Sequence, residues 1–111
     1  MLSVREIAFE CAPVFERHAM VDRAFLFGSC SRDEQDELSD VDICYDISED
    51  HRPIGLAFFG EHGELRRDLE DALGVSVDLL TTPDEDSCVS PSQRRFAREV
   101  RRDRRRIYER S

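Results

Sequence analysis

The chain has 111 residues, 25 of them Asp or Glu against 16 basic ones, for a formal charge of −9; that is enough polypeptide for one modest core and reads as a single domain over residues 1–111. All 16 cations are Arg, with no Lys and no Asn anywhere, which excludes a phosphate-binding P-loop, a Schiff-base amine and a protein-kinase site. An acidic chain also repels phosphate backbones, so no direct nucleic-acid binding is expected.

Ser3 can cap a first helix, with Val4, Ile7, Ala8, Cys11, Val14 and Phe15 at helical spacing. Pro13 interrupts that stripe, and a kink or two short helices are expected between residues 4 and 20. Ala24–Phe27 is a continuous apolar run closed by Gly28, the pattern of a buried strand ending in a tight turn. Residues 29–39 are polar and suit a short helix and a loop. Asp40-Val41-Asp42-Ile43-Cys44-Tyr45 alternates strictly, with Val41, Ile43 and Tyr45 on one face of a strand and Asp40, Asp42 and Cys44 on the other. Pro53 and Gly55 lead into a second helix striped by Leu65, Leu69, Ala72 and Leu73 and stopped by Gly74. Residues 75–80 read as a third strand. Pro91 starts a last helix, which gathers Phe96, Val100, Ile107 and Tyr108 on one side. Helices and strands in this order make an α/β (α+β) protein with a small sheet flanked by helices.

Charge is divided along the chain. Residues 1–93 hold 7 Arg against 22 acids, whereas residues 94–111 hold 9 Arg against 3 acids. The basic end is expected to contact a partner through residues such as Arg101 and Arg102, or to lie solvated against its own carboxylates. Cys11, Cys30, Cys44 and Cys88 show no zinc-type spacing. MLSVREIAFE lacks the apolar run of an export signal, and no stretch is long enough to span a membrane, so a cytoplasmic protein with free thiols is expected. His18, His51 and His62 are scattered and read as surface residues.

Asp40 and Asp42 project from one face of their strand and can share a cation. Magnesium suits such a pair, because it takes a few carboxylates and completes its shell with phosphate and water oxygens. The motif alone is common in so acidic a chain, and Asp84-Glu85-Asp86 is a second copy. Its context is not common. Gly28-Ser29 closes an apolar strand, and ten residues separate it from Asp40; Gly28 permits a sharp turn, Ser29 a hydroxyl contact, and Arg32 a planar cation for phosphate. Asp78, inside the apolar run Val77–Leu80, adds a third carboxylate that burial would penalise unless it were paired or on a metal.

Together, Phe25-Leu26-Phe27-Gly28-Ser29, Ser39-Asp40-Val41-Asp42-Ile43 and Val77-Asp78-Leu79-Leu80 resemble the minimal nucleotidyltransferases of the DNA polymerase beta superfamily, the MNT-type antitoxins found beside HEPN-type toxins. The likeness runs from about residue 22 to the C-terminus, where Ile107-Tyr108-Glu109 is similar to the usual ending. Asp33 stands where members often carry Gly, adding a negative charge near the expected triphosphate. The resemblance implies a small mixed sheet flanked by helices and a magnesium site at Asp40, Asp42 and Asp78. It also implies that Gly28, Ser29 and Arg32 bind the nucleotide, and that AMP passes from ATP to a tyrosine of a HEPN partner. Modification of a small molecule by a two-chain enzyme, and inhibition of a toxin by binding alone, are the alternatives.

Overall fold

The computed structural model describes residues 3–28, 40–83 and 90–110. Helix α1 (Val4–Arg17) starts at Ser3, whose hydroxyl accepts from the Glu6 amide at 3.1 Å. It is one continuous helix, not two. Pro13 removes the hydrogen bond to the carbonyl of Phe9, and both residues are exposed, so the orphaned carbonyl lies on the outer side of the helix, where its solvation costs little. Strand β1 (Val21–Leu26) follows, then β2 (Val41–Ile47), a single 3-10 turn (Glu49–His51), and α2 (Leu56–Leu73). Gly74 ends α2 in the left-handed conformation at φ 71°, its amide donating to the Glu70 carbonyl at 2.7 Å. Strand β3 (Val77–Thr81), helix α3 (Pro91–Asp103) and strand β4 (Arg105–Glu109) complete the chain.

The four strands form one mixed sheet in the order β3-β2-β1-β4, with β2 and β3 parallel and the other two pairs antiparallel. This is the small mixed sheet flanked by helices that the sequence leads one to expect. Side-chain alternation separates its faces. Ala24, Leu26, Val41, Ile43, Tyr45, Val77 and Leu79 turn to the side covered by α1 and α2, where they meet Ile7, Cys11, Phe15, Leu65 and Leu69 in the main core. Phe25, Phe27, Cys44 and Leu80 turn to the other side and pack with Val100 of α3 in a smaller cluster.

Beta strand β4 replaces the last turns expected for the final helix. Ile107 and Tyr108 are adjacent yet both buried, a pattern without period-2 alternation that reads as helical. The cause is a bulge: Ala24 pairs with Tyr108 and Phe25 with Arg106, leaving Ile107 as the extra residue. Tyr108 donates to Glu16 at 3.0 Å. Arg110 reaches further, donating to the carbonyls of Val21, Phe15 and His18 at 2.9, 2.8 and 3.0 Å.

Two of the three histidines are structural and partly buried, contrary to the surface reading. His18 meets Asp68 of α2 at 2.8 Å. His62 accepts or shares the Tyr45 hydroxyl proton at 2.7 Å through Nδ1, while Nε2 lies 3.2 Å from the Leu79 carbonyl. A ring tied on both sides joins α2 to β2 and β3. His51 is exposed, as expected.

Candidate active site

Parallel pairing of β2 with β3 brings Asp42 directly opposite Asp78, with Val41 opposite Val77 and Ile43 opposite Leu79 on the other face. Residues paired in this way project from the same side of the sheet. Both carboxylates therefore leave the face that α3 covers only in part. The start of β3 is fixed by two bonds: the Val77 amide donates to the Glu70 carboxylate of α2 at 3.0 Å, and the Val41 amide donates to the Ser76 carbonyl at 3.0 Å. Asp40 lies just before β2 and is exposed.

Electrostatics report the crowding. The Asp42 carboxyl is pushed up to about 6, first by its burial, then by the negative charge of Asp78, then by that of Asp40. The charges of Asp78 and Asp40 are thus felt at Asp42, but only Asp42 and Asp78 of the three line the cavity described below. Among the described residues, no three or more His, Cys, Asp or Glu side chains are gathered into a ready-made metal cage.

Gly28 follows β1 at φ +68°, a conformation that costs a residue with a Cβ roughly 1–2 kcal/mol. A Cβ here would stand 2.7 Å from Asp42 Oδ2. The turn and the carboxylate therefore occupy one another's van der Waals shell, and the Phe27 amide, donating to the Asp42 carbonyl at 3.1 Å, keeps them there. Ser29, Arg32 and Asp33 lie outside the described residues, as do Cys30, Cys88 and the second acidic motif at Asp84–Asp86.

A cavity of about 380 Å³ opens in front of the pair, bounded by Gly28, Asp42 and Asp78 and extending over Leu80 to α3. Its far wall is Phe96, Glu99, Val100 and Asp103, residues that recur at three- and four-residue steps along one face of the helix. Phe96 meets Phe27 edge-on, ring centroids 6.2 Å apart and planes at 85°. The sequence gathers Phe96 and Val100 on one side of the last helix, and nothing in that pattern singled out Glu99 and Asp103. The available signal was that these are the two acids of an Arg-rich helix, one turn apart. A larger cavity, about 550 Å³, lies between the end of α1 and α2, lined by His18, His51, Glu61, Glu64 and Asp68 among others. It has neither the glycine turn nor the opposed strand carboxylates.

Of the remaining nucleophiles, Cys11 and Cys44 are buried free thiols. Burial pushes Cys11 up to about 12 and Cys44 to about 11, so neither is a thiolate at neutral pH. Arg104 lies 4.1 Å over the Phe25 ring rather than in the site. Among the described residues, no helix is long and apolar enough to cross a membrane.

Comparison with known proteins agrees with this geometry. The sequence matches the family described as "Polymerase beta, Nucleotidyltransferase" over residues 10–111. A Methanocaldococcus jannaschii protein named "Putative protein adenylyltransferase" is 36% identical over 80 residues, spanning 72% of this chain and 78% of that one. Two solved structures share the fold. One is a toxin-antitoxin with AMP-PNP (TM-score 0.65, 20% identity, 94% of this chain and 74% of that one). The other is a tri-AMPylated Shewanella oneidensis HEPN toxin in complex with an MNT antitoxin (TM-score 0.61, 17% identity, 96% and 73%). The glycine turn against a strand carboxylate, the mixed sheet and the sequence match over nearly the whole chain converge, and this protein belongs to the polymerase beta nucleotidyltransferase family and is a nucleotidyltransferase.

Proposed function

We propose that this chain is the antitoxin of a HEPN/MNT pair, a single minimal nucleotidyltransferase domain over residues 1–111 that transfers AMP from ATP to a tyrosine hydroxyl of its partner toxin. The observation that carries the reading is the opposition of Asp42 and Asp78 across parallel strands, with Gly28 packed on Asp42. The curated relative's name, and the solved complexes containing an ATP analogue or an AMP-modified HEPN toxin, support the donor and the acceptor.

Asp40, Asp42 and Asp78 are the residues that would hold magnesium. When bound, the cation neutralises the triphosphate and draws electron density from the phosphorus under attack. Gly28, with no side chain, lets a phosphate approach the backbone; Ser29 and Arg32 supply a hydroxyl and a planar cation for the same group. Asp78, the exposed member of the pair, would take the proton of the acceptor hydroxyl. The oxygen then bonds to the α-phosphorus, the bond to the β-phosphate oxygen breaks, and pyrophosphate leaves. Crowded carboxylates, as at Asp42, are ordinarily unfavourable, and a site that binds a cation gives them a purpose. Exposed Arg101 and Arg102 of α3 serve as partner contacts. The free thiols at Cys11 and Cys44 suit a cytoplasmic pair.

The test is direct. The protein, ATP, magnesium chloride and the cognate HEPN protein are incubated, and the partner is mapped by mass spectrometry. AMP on a partner tyrosine is expected. A complex that forms while the partner stays unmodified would leave an antitoxin that acts by binding alone.

A further inference from the structure

Exposed apolar side chains gather at the start of α2. Ile54, Leu56 and Phe59 are 88%, 86% and 69% exposed, although the same helix buries Leu65, Leu69 and Leu73 on its other side. At about 100° per residue, Leu56, Phe59, Gly60 and Gly63 fall within one arc of about 100°, on the side away from that buried stripe. Phe59 is braced from behind: Phe58 meets it edge-on with centroids 5.6 Å apart, and Phe58 itself lies 5.5 Å from the His62 ring. The two glycines are what the chain's own packing does not account for. Each weakens the helix relative to alanine, and a Cβ at either would meet no heavy atom within 4 Å among the described residues. Glycine on an open helix face lets another backbone come close, and Leu56 and Phe59 are the side chains such an approach would bury.

Spacing identifies the occupant. Leu56 stands as far before the Phe59-Gly60 pair as Gly63 stands after it. An identical helix laid antiparallel, with a two-fold axis passing between Phe59 and Gly60, sets Leu56 of each copy over Gly63 of the other. The same axis brings the two Phe59 rings together beside the Gly60 backbones. Protrusion and recess thus lie on one surface, which is the condition for an isologous, closed pair. Position agrees with this. Helix α2 covers the face of the sheet opposite the cavity at Asp42 and Asp78, so two copies joined through their outer sides leave both cavities accessible. We propose that this face of α2 is a homodimer interface and that its occupant is a second copy of this chain. Three large apolar side chains from each copy make a small contact, of the class below about 1,200 Å² in total, so pairing belongs in the micromolar range.

Sedimentation velocity of the full chain between about 1 and 300 µM tests the proposal. Expected is a concentration-dependent passage from monomer to dimer. Leu56→Glu, a change at an exposed position, should keep the native circular dichroism spectrum and remain monomeric throughout. Gly60→Ala and Gly63→Ala separate an interface from a feature of the fold. In dilute, monomeric samples each should raise the melting temperature, because alanine favours the helix and meets no neighbour; combined, they should raise the dimer dissociation constant at least about tenfold by holding the helices apart. A parent chain that stays monomeric at the highest concentration, a dimer that survives Leu56→Glu, or glycine variants that dimerise as the parent does would overturn the proposal. A chain that is monomeric alone and uses Leu56 and Phe59 only to bind the HEPN protein would reassign the face to that partner and equally overturn it.

Discussion

Asp42 is held where a carboxylate is uncomfortable, half-buried between Asp78 and Asp40 and against the turn at Gly28. The sign of the consequence follows from linkage. Its folded-state pKa is raised from 3.8 to about 6, so the folded chain holds the proton more tightly than the unfolded one. The stability this residue contributes is fully present below pH 3.8 and is lost as pH rises through about 6. In buffer free of divalent cations, Asp42→Asn should therefore melt at a higher temperature than the parent, and the gap should open between about pH 4 and pH 6. Magnesium should then raise the parent's melting temperature and leave the variant's unchanged, because a ligand stabilises only the state that binds it. Thermal melts across that pH range check both statements; a variant less stable than the parent at pH 7 would mark Asp42 as a structural group. The pair was legible in sequence because i, i+2 spacing on a strand and a carboxylate in an apolar run are local signals. That Glu99 and Asp103 line the cavity was not, because it depends on which face of α3 turns to the sheet.

Secondary structure elements bring these residues together through the pairing of β2 with β3, and through the turn that ends β1. Gly28 sits at φ +68° with Asp42 Oδ2 where a Cβ would go. Gly28→Ala should cost roughly 1–2 kcal/mol for the backbone conformation. The clash falls on the end of a movable side chain, so its greater effect is to displace the Asp42 carboxylate. We expect kcat for AMP transfer to fall about a hundredfold, on the scale of a 1 Å misplacement, while the protein remains folded. Stopped activity with an unfolded circular dichroism spectrum would instead make the glycine purely structural. At this scale the strands around the site were readable from alternation and from the Gly28 and Gly74 stops. The end of the chain was not: the bulge at Ile107 erases the alternation that identifies a strand, and tertiary pairing with β1 decides the outcome. Pro13 misled for a related reason, since the cost of a proline depends on whether the orphaned carbonyl can reach water.

Over the whole molecule, the sheet carries the main core on one face and the cavity beside Asp42 and Asp78 on the other, so that cavity can stay open and charged while α1 and α2 supply most of the burial. Edge strand β4 is held by Arg110, whose guanidinium serves three carbonyls at the end of α1 and the start of β1. Arg110→Ala should destabilise the fold by about 2–3 kcal/mol, as expected for charge-assisted bonds to partly buried carbonyls, with the KM for ATP unchanged in the folded fraction. Urea titration alongside steady-state kinetics checks this, and unaltered stability would show that β4 is held by its ladder alone. The division of charge noted in the sequence survives in three dimensions as arginines outside and acids toward the cavity on α3, a distinction composition does not carry. The central claim is that Asp42 and Asp78 work as one site. Its most direct test is the rate of AMP transfer by Asp42→Asn, Asp78→Asn and the double variant. The account predicts that each single change removes at least a thousandfold of the rate and that the double change is no worse, since residues acting as a unit are not additive. Single variants that keep most of their turnover, or losses that multiply in the double variant, would contradict it.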